Sequence, residues 1–190
     1  MKKNCLHFTI RSKNRSQATG HMAYITRSGR HASRGDLIGT AHGNMPDWAR
    51  DNPKLLWKAS SEHERQNGSA LRSITIGLPN VLTNEQLLEV AMGEAEHLAG
   101  SKPFELAVHK PNSSIANVPN PHVHIAICDR IPDGIDRSPE QMFKRFNPAD
   151  PSKGGNRKDS GGRSPDQLKA YVRELRRDAT DRINAALEKF

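Results

Sequence analysis

The sequence predicts an α+β domain in which a central antiparallel β-sheet is covered by helices. Three observations carry this reading. Apolar residues alternate by twos in four short segments, they recur at helical spacing in longer stretches, and the two kinds follow one another in the order β-α-α-β-α-β-β-α-α. With 190 residues the chain is long enough for one core, and it is read as a single domain over 1–190.

Residues 4–10, NCLHFTI, alternate and run into a basic polar stretch, which predicts a first strand. Residues 14–28 carry Ala18, Met22 and Ile25 at helical spacing, with Gly29 as the stop. The Gly/His/Asp-rich stretch 29–47 reads as a long loop. A helix is expected over 53–67, with Trp48 and Trp57 packing on the sheet. ALRSITIGL at 70–78 reads as a strand ended by Pro79. Thr83 with Gln86 three residues on forms a capping-box pattern that opens an amphipathic helix over 83–98. Strands at 104–109 and 122–129 flank a polar loop, an interval that suits an antiparallel pair. A short helix is expected at 138–147. The Pro/Gly/Ser/Lys-rich segment 148–165 reads as a mobile basic loop. The last helix, 165–189, lines up Leu168, Tyr171, Val172, Leu175, Ala179 and Ile183.

Composition narrows the function classes. Apolar residues make up 34% of the chain, so the surface is large and wet, and there is no run of about 18 apolar residues to insert into a membrane. The N-terminal MKKNCLHFTIRSKN lacks the apolar stretch of a secretory signal, and a cytoplasmic protein is expected. Two cysteines, Cys5 and Cys128, lie in alternating apolar segments and read as buried thiols. The net charge of +8 favours a polyanionic partner. That charge is unevenly spread, because residues 1–36 set eight Lys/Arg against Asp36 alone and residues 144–177 set ten against four acids.

In Pro121-His122-Val123-His124-Ile125 the period of a strand puts His122 and His124 on one face. His109 ends the preceding strand on the face of Glu105 and Ala107, opposite His122 or His124 if the strands pair. Three converging imidazoles make a facial metal site with open positions for water or phosphate oxygens, and ligand type alone would favour zinc. A solvated pair of histidines is the alternative. Histidines 7, 21, 31, 42, 63 and 97 have no such grouping and read as solvated or structural. Tyr24 lies in a predicted helix close to Arg27, Arg30 and Arg34. By itself it reads as an amphipathic-helix tyrosine with a buried ring and a wet hydroxyl.

Taken together, these motifs resemble a known family. SQATGHMAYITRSGR, from Ser16 to Arg30, resembles the nucleophile helix of the MobA/MobL relaxases of mobilisable plasmids. ELAVH followed by NPHVHIAICDRIPDGIDR resembles their three-histidine motif. MFKRFNPADPSKGG resembles the segment after it, particularly in the relaxase domain of IncQ-type plasmids. The likeness keeps its order from about residue 4 to 160.

The resemblance implies an HUH endonuclease fold and the nicking and rejoining of one DNA strand at an origin of transfer. Tyr24 would be the nucleophile, staying joined to the 5′ phosphate. His109, His122 and His124 would hold Mg²⁺ or Mn²⁺. The partners implied are single-stranded or locally melted DNA, accessory mobilisation proteins and a conjugative coupling protein. A replication initiator or transposase of the same chemistry, and a non-catalytic nucleic-acid-binding module, are the other readings. DNA contacts are expected from Arg11, Lys13, Arg15 and Arg27 near the nucleophile, and from Lys144, Arg145, Lys153, Arg157, Lys158 and Arg163 on the basic loop. Family members often carry a glutamate in the strand that here reads Arg72-Ser73-Ile74-Thr75-Ile76-Gly77. The group that orients the imidazoles is therefore left open among Ser73, Thr75, Glu105 and Asp129.

Overall fold

The structure is a computed structural model that describes residues 7–114, 117–159 and 164–190. Its strands are Phe8–Lys13 (β1), Leu37–Gly43 (β2), Leu71–Gly77 (β3), Phe104–His109 (β4) and His122–Ile127 (β5). The helices are Arg15–Ile25 (α1), Lys54–His63 (α2), Asn84–Ala99 (α3), Pro139–Met142 (α4) and Pro165–Lys189 (α5). The strands form one sheet in the order β1-β3-β5-β4-β2, and every neighbouring pair is antiparallel. The expected fold class holds.

Alternation along the strands sends two apolar sets to opposite faces. On the back face Ile74, Ile76, Leu106, Val108, Val123 and Ile125 pack against Leu87, Ala91 and Ala95 of α3 and Ala179 and Ile183 of α5. On the front face Leu71, Ala107 and Ala126 meet Ala18, Met22 and Ile25 of α1 and Leu56 and Trp57 of α2. The small Ala107 and Ala126 leave room for α1 to approach the sheet, and beyond them the front face is polar. The two sets together enclose β4, which is buried at every residue.

Three expectations change. The segment 29–47 contains β2, an edge strand of sequence LIGTAHG, in which Gly39 and Gly43 are poor strand formers and no strict alternation marks a buried face. Tertiary pairing with β4 supplies what propensity does not, and Gly43 is required because a Cβ there would lie 2.5 Å from the Phe104 ring. The first strand runs to Lys13, since an edge strand facing a polar surface tolerates Arg11 and Lys13; residues 1–6, including Cys5, lie outside the described residues.

Residues 148–159, expected within a mobile basic loop, are instead packed against the end of β5. Gly154, Gly155 and Asn156 are buried, and backbone bonds run from Gly155 to Arg145, from Asn156 to Met142 and from Ile131 to Arg157. A Cβ at Gly155 would lie 2.2 Å from the Lys144 carbonyl oxygen, so this close backbone approach depends on glycine. The buried Arg130 ties the segment down by donating to Glu64 and to the carbonyls of Phe143, Lys144 and Asn156. Residues 160–163, with Arg163, are outside the described residues.

Cys128 is buried, and burial pushes its thiol up to about 12. No helix among the described residues is long and apolar enough to cross a membrane.

Candidate active site

β4 and β5 pair so that His109 stands directly opposite His122 and Ala107 opposite His124. The three imidazoles gather on the front face with ring centroids 5.0–5.4 Å apart. One nitrogen from each ring lies within 4.8 Å of the others. A cation with Zn–N-like bonds would need roughly 3–3.5 Å between them, so a modest closure of the rings completes a three-nitrogen site.

The backbone and one threonine fix each ring. His109 Nε2 donates to the Ile25 carbonyl at 2.6 Å, and its Nδ1 accepts from Arg27 Nη2 at 3.2 Å. His122 Nδ1 donates to the Asn120 carbonyl at 3.0 Å, which leaves Nε2 with its lone pair. His124 Nδ1 pairs with the Thr75 hydroxyl at 3.0 Å. Of the four groups left open by the sequence, Thr75 is the one bonded to the triad. Ser73 bonds His21, Glu105 accepts from the Trp57 indole at 2.6 Å, and Asp129 pairs with Arg72.

Burial lowers the pKa of His109 to about 4, with the Arg27 charge adding to the effect. It lowers His124 to about 3, helped by the two neighbouring imidazoles. Both rings are therefore neutral at pH 7 and offer lone pairs to a cation. These residues fit a divalent metal, on one condition: a cation bound through His109 Nδ1 replaces the Arg27 N–H now on that atom.

Tyr24 reaches the same spot from α1. Its ring meets His124 edge-on at 6.5 Å and His31 at 5.4 Å. The guanidinium carbons of Arg27 and Arg34 stand 4.7 and 5.4 Å from the ring centroid. The helix stops just past the tyrosine in a Schellman arrangement, with Ser28 N–H on the Ala23 carbonyl and Arg27 N–H directed at that of Tyr24. The left-handed residue of that motif is usually glycine; here it is Arg27, at φ 50°. Its side chain offsets the strain by donating to both Asp36 oxygens, at 2.8 and 2.7 Å, and to the Tyr24 carbonyl. The same charge and hydrogen bonds hold Asp36 down at about 2.

Of the basic residues expected on DNA, Arg11 and Lys13 line a small front-face pocket with Thr9, His21, Ser73, Thr75 and His124. Arg27 is buried on Asp36, Arg15 donates to the carbonyls of Ser61 and Glu62, and Lys158 is held by Glu64 and the Ser69 carbonyl. Lys144, Arg145, Lys153 and Arg157 are exposed, in the segment packed at the end of β5 remote from His122. Sequence reasoning set His31 aside and missed Asp36, since neither has a motif; His31 reaches the Tyr24 ring and Asp36 reaches Arg27 only because the chain turns back after α1.

Residues 11–190 match the MobA/MobL family. The chain is 35% identical over 187 residues to the 43 kDa relaxation protein of Salmonella typhimurium, covering 97% of this chain and 50% of that protein. It is 34% identical to mobilization protein A of Escherichia coli, covering 96% of this chain and 25% of that protein. The chain thus spans half or less of the length of these curated relatives. In fold it resembles a chain solved under the heading "Molecular Basis of Vancomycin Resistance Transfer in Staphylococcus aureus", with a TM-score of 0.68 at 23% identity, covering 97% of this chain and 93% of that one. It also resembles the conjugative relaxase TrwC, solved in complex with oriT DNA in a metal-bound form, with a TM-score of 0.52 at 14% identity, covering 96% of this chain and 70% of that one.

Proposed function

The chain belongs to the MobA/MobL family, and on that premise we propose that it nicks and rejoins one DNA strand at a plasmid origin of transfer, with Tyr24 as nucleophile. The observation that carries this reading is the approach of the Tyr24 ring to three converging imidazoles. The relatives are a relaxation and a mobilization protein, and TrwC was solved on oriT DNA. His109, His122 and His124 would hold Mg²⁺ or Mn²⁺. Bound there, such an ion supplies charge withdrawal from the non-bridging oxygens of the scissile phosphate.

The Tyr24 oxygen attacks phosphorus, the bond from phosphorus to the 3′ oxygen breaks, and the phenol proton is lost as the 3′ oxygen gains one. One diester replaces another, so the step is reversible and rejoining needs no ATP. A phenol with a pKa near 10 is a weak nucleophile at pH 7. The guanidinium groups of Arg27 and Arg34 beside the ring favour negative charge developing on it. His31, beside the phenol, is lowered from its ordinary pKa by desolvation and by Arg30, Arg34 and Arg27. Thr75 and the carbonyls of Ile25 and Asn120 keep the triad in register. Arg11 and Lys13 receive strand phosphates in the adjoining pocket.

The test is incubation with a labelled single strand spanning a candidate origin, with Mn²⁺, followed by a denaturing gel. Wild type should yield a covalent protein–DNA band. Tyr24→Phe should lose that band while keeping DNA affinity, and an equally strong band from this variant would remove Tyr24 from the mechanism.

A further inference from the structure

The first turns of α5 pass over the β1 edge of the sheet, and among the described residues their Leu168, Tyr171 and Val172 join neither core cluster, whereas Leu175 further along packs on the back-face core. Ala179 and Ile183 are buried on the back face, yet Leu168, on the same apolar stripe, is 51% exposed. Between these turns and the sheet lies a cleft of about 570 Å³. Leu168, Tyr171 and Val172 form its helix wall, and Ile10 and Ser12 of β1 its sheet side. Its cations are Arg11, Arg72, Lys169 and Arg173, against one acid, Asp129, which Arg72 already neutralises at 2.9 Å.

We propose that this cleft is a second binding site for single-stranded DNA, in which a base stacks on Tyr171 while the flanking phosphates meet Lys169, Arg173 and Arg11. Aromatic platforms bordered by cations hold single strands in this way with little regard to sequence. The volume falls in the usual range for a small-ligand site, roughly 300–1,000 Å³. Charge complementarity favours a polyanion over a peptide or a second copy of this basic chain. Arg11 joins the cleft to the catalytic pocket, because it lines both, so a strand leaving His124 on the front face crosses the β1 edge into the cleft behind it. The inference rests on the DNA-strand reading above.

The experiment is fluorescence anisotropy with a fluorescein-labelled oligodeoxythymidylate of about 16 nucleotides. Tyr171→Ala should weaken binding about 5- to 140-fold, the range expected for one lost stacking contact, and Tyr171→Phe should retain it. Arg173→Gln should lower the slope of log affinity against log salt by about 0.7. Strand crosslinks from a 5-iodouracil oligonucleotide should map to Tyr171 by mass spectrometry. Unchanged affinity in Tyr171→Ala overturns the cleft but leaves the catalytic reading intact if the wild type still forms its Tyr24-dependent adduct. If Tyr171→Ala changes only the mass of the protein in solution, the cleft belongs to a second copy and the proposal fails.

Discussion

The charge at the end of α1 depends on a single ion pair. Arg27 is 7% exposed and held in a left-handed conformation, and among the described residues its counter-charge is Asp36. Removing that partner strands a buried cation, so Asp36→Ala should cost about 2–4 kcal/mol in urea denaturation, at the lower end of buried-pair losses because the Asp36 side chain is itself 20% exposed. His122 is half-exposed, and His122→Ala should move stability by less than about 1 kcal/mol. The same variant should weaken Mn²⁺ binding in calorimetry by tenfold or more, on the order of one lost ligand.

The histidines also set a pH response in metal-free protein. Burial holds His21 and His109 at about 4 and His124 at about 3, whereas an unfolded histidine titrates near 6.5. Below pH 6.5 the unfolded chain binds protons that the folded one refuses, so stability falls as pH drops from about 6.5 toward 4. Each ring contributes at most about 1.4 kcal/mol per pH unit. Glu105 and Asp129, raised by burial, act with the opposite sign in the carboxylate range. Melting temperatures between pH 7 and 4.5 in EDTA should therefore decline, less steeply in His21→Gln.

At the scale of elements, the segment after β5 holds its place through a buried hub rather than secondary structure. Arg130 and Glu64 are 3% and 1% exposed, and Lys158 adds a second cation to the same carboxylate. Arg130→Met should lose about 3–5 kcal/mol, because Glu64 and three carbonyls lose their donor together. Chymotrypsin should then cut faster at Phe146. The elements legible in the sequence share a trait: α3 has its capping box, from Thr83 to Gln86, and β4 and β5 alternate cleanly. Elements that were not legible lack a local signal. β2, LIGTAHG, is broken by two glycines without strict alternation and exists because β4 offers an edge, and 148–159 looks like a linker because its order lies in backbone bonds to distant residues.

Across the whole molecule, the surplus of positive charge is divided between groups that face solvent and groups that hold the fold. Arg11 and Lys13 belong to the first kind, Arg15 and Lys158 to the second. Arg11→Gln and Lys13→Gln should each reduce the salt slope of single-strand binding by about 0.7, while Arg15→Gln should lower the urea midpoint and leave that slope unchanged. Counting basic residues along the chain does not separate the two kinds, since partnership is a property of three-dimensional neighbours. What the residue order determined by itself was the fold class, the common face of His122 and His124, the buried face of α1 and the family likeness, all of which follow from periods of two and 3.6 residues or from contiguous motifs. Only the tertiary structure decided that His109 faces His122, that Thr75 and two backbone carbonyls orient the rings, and that Arg27 serves Asp36 inside the protein. Those choices depend on strand register and chain reversal, and contacts between residues far apart in sequence leave no periodic trace within either segment.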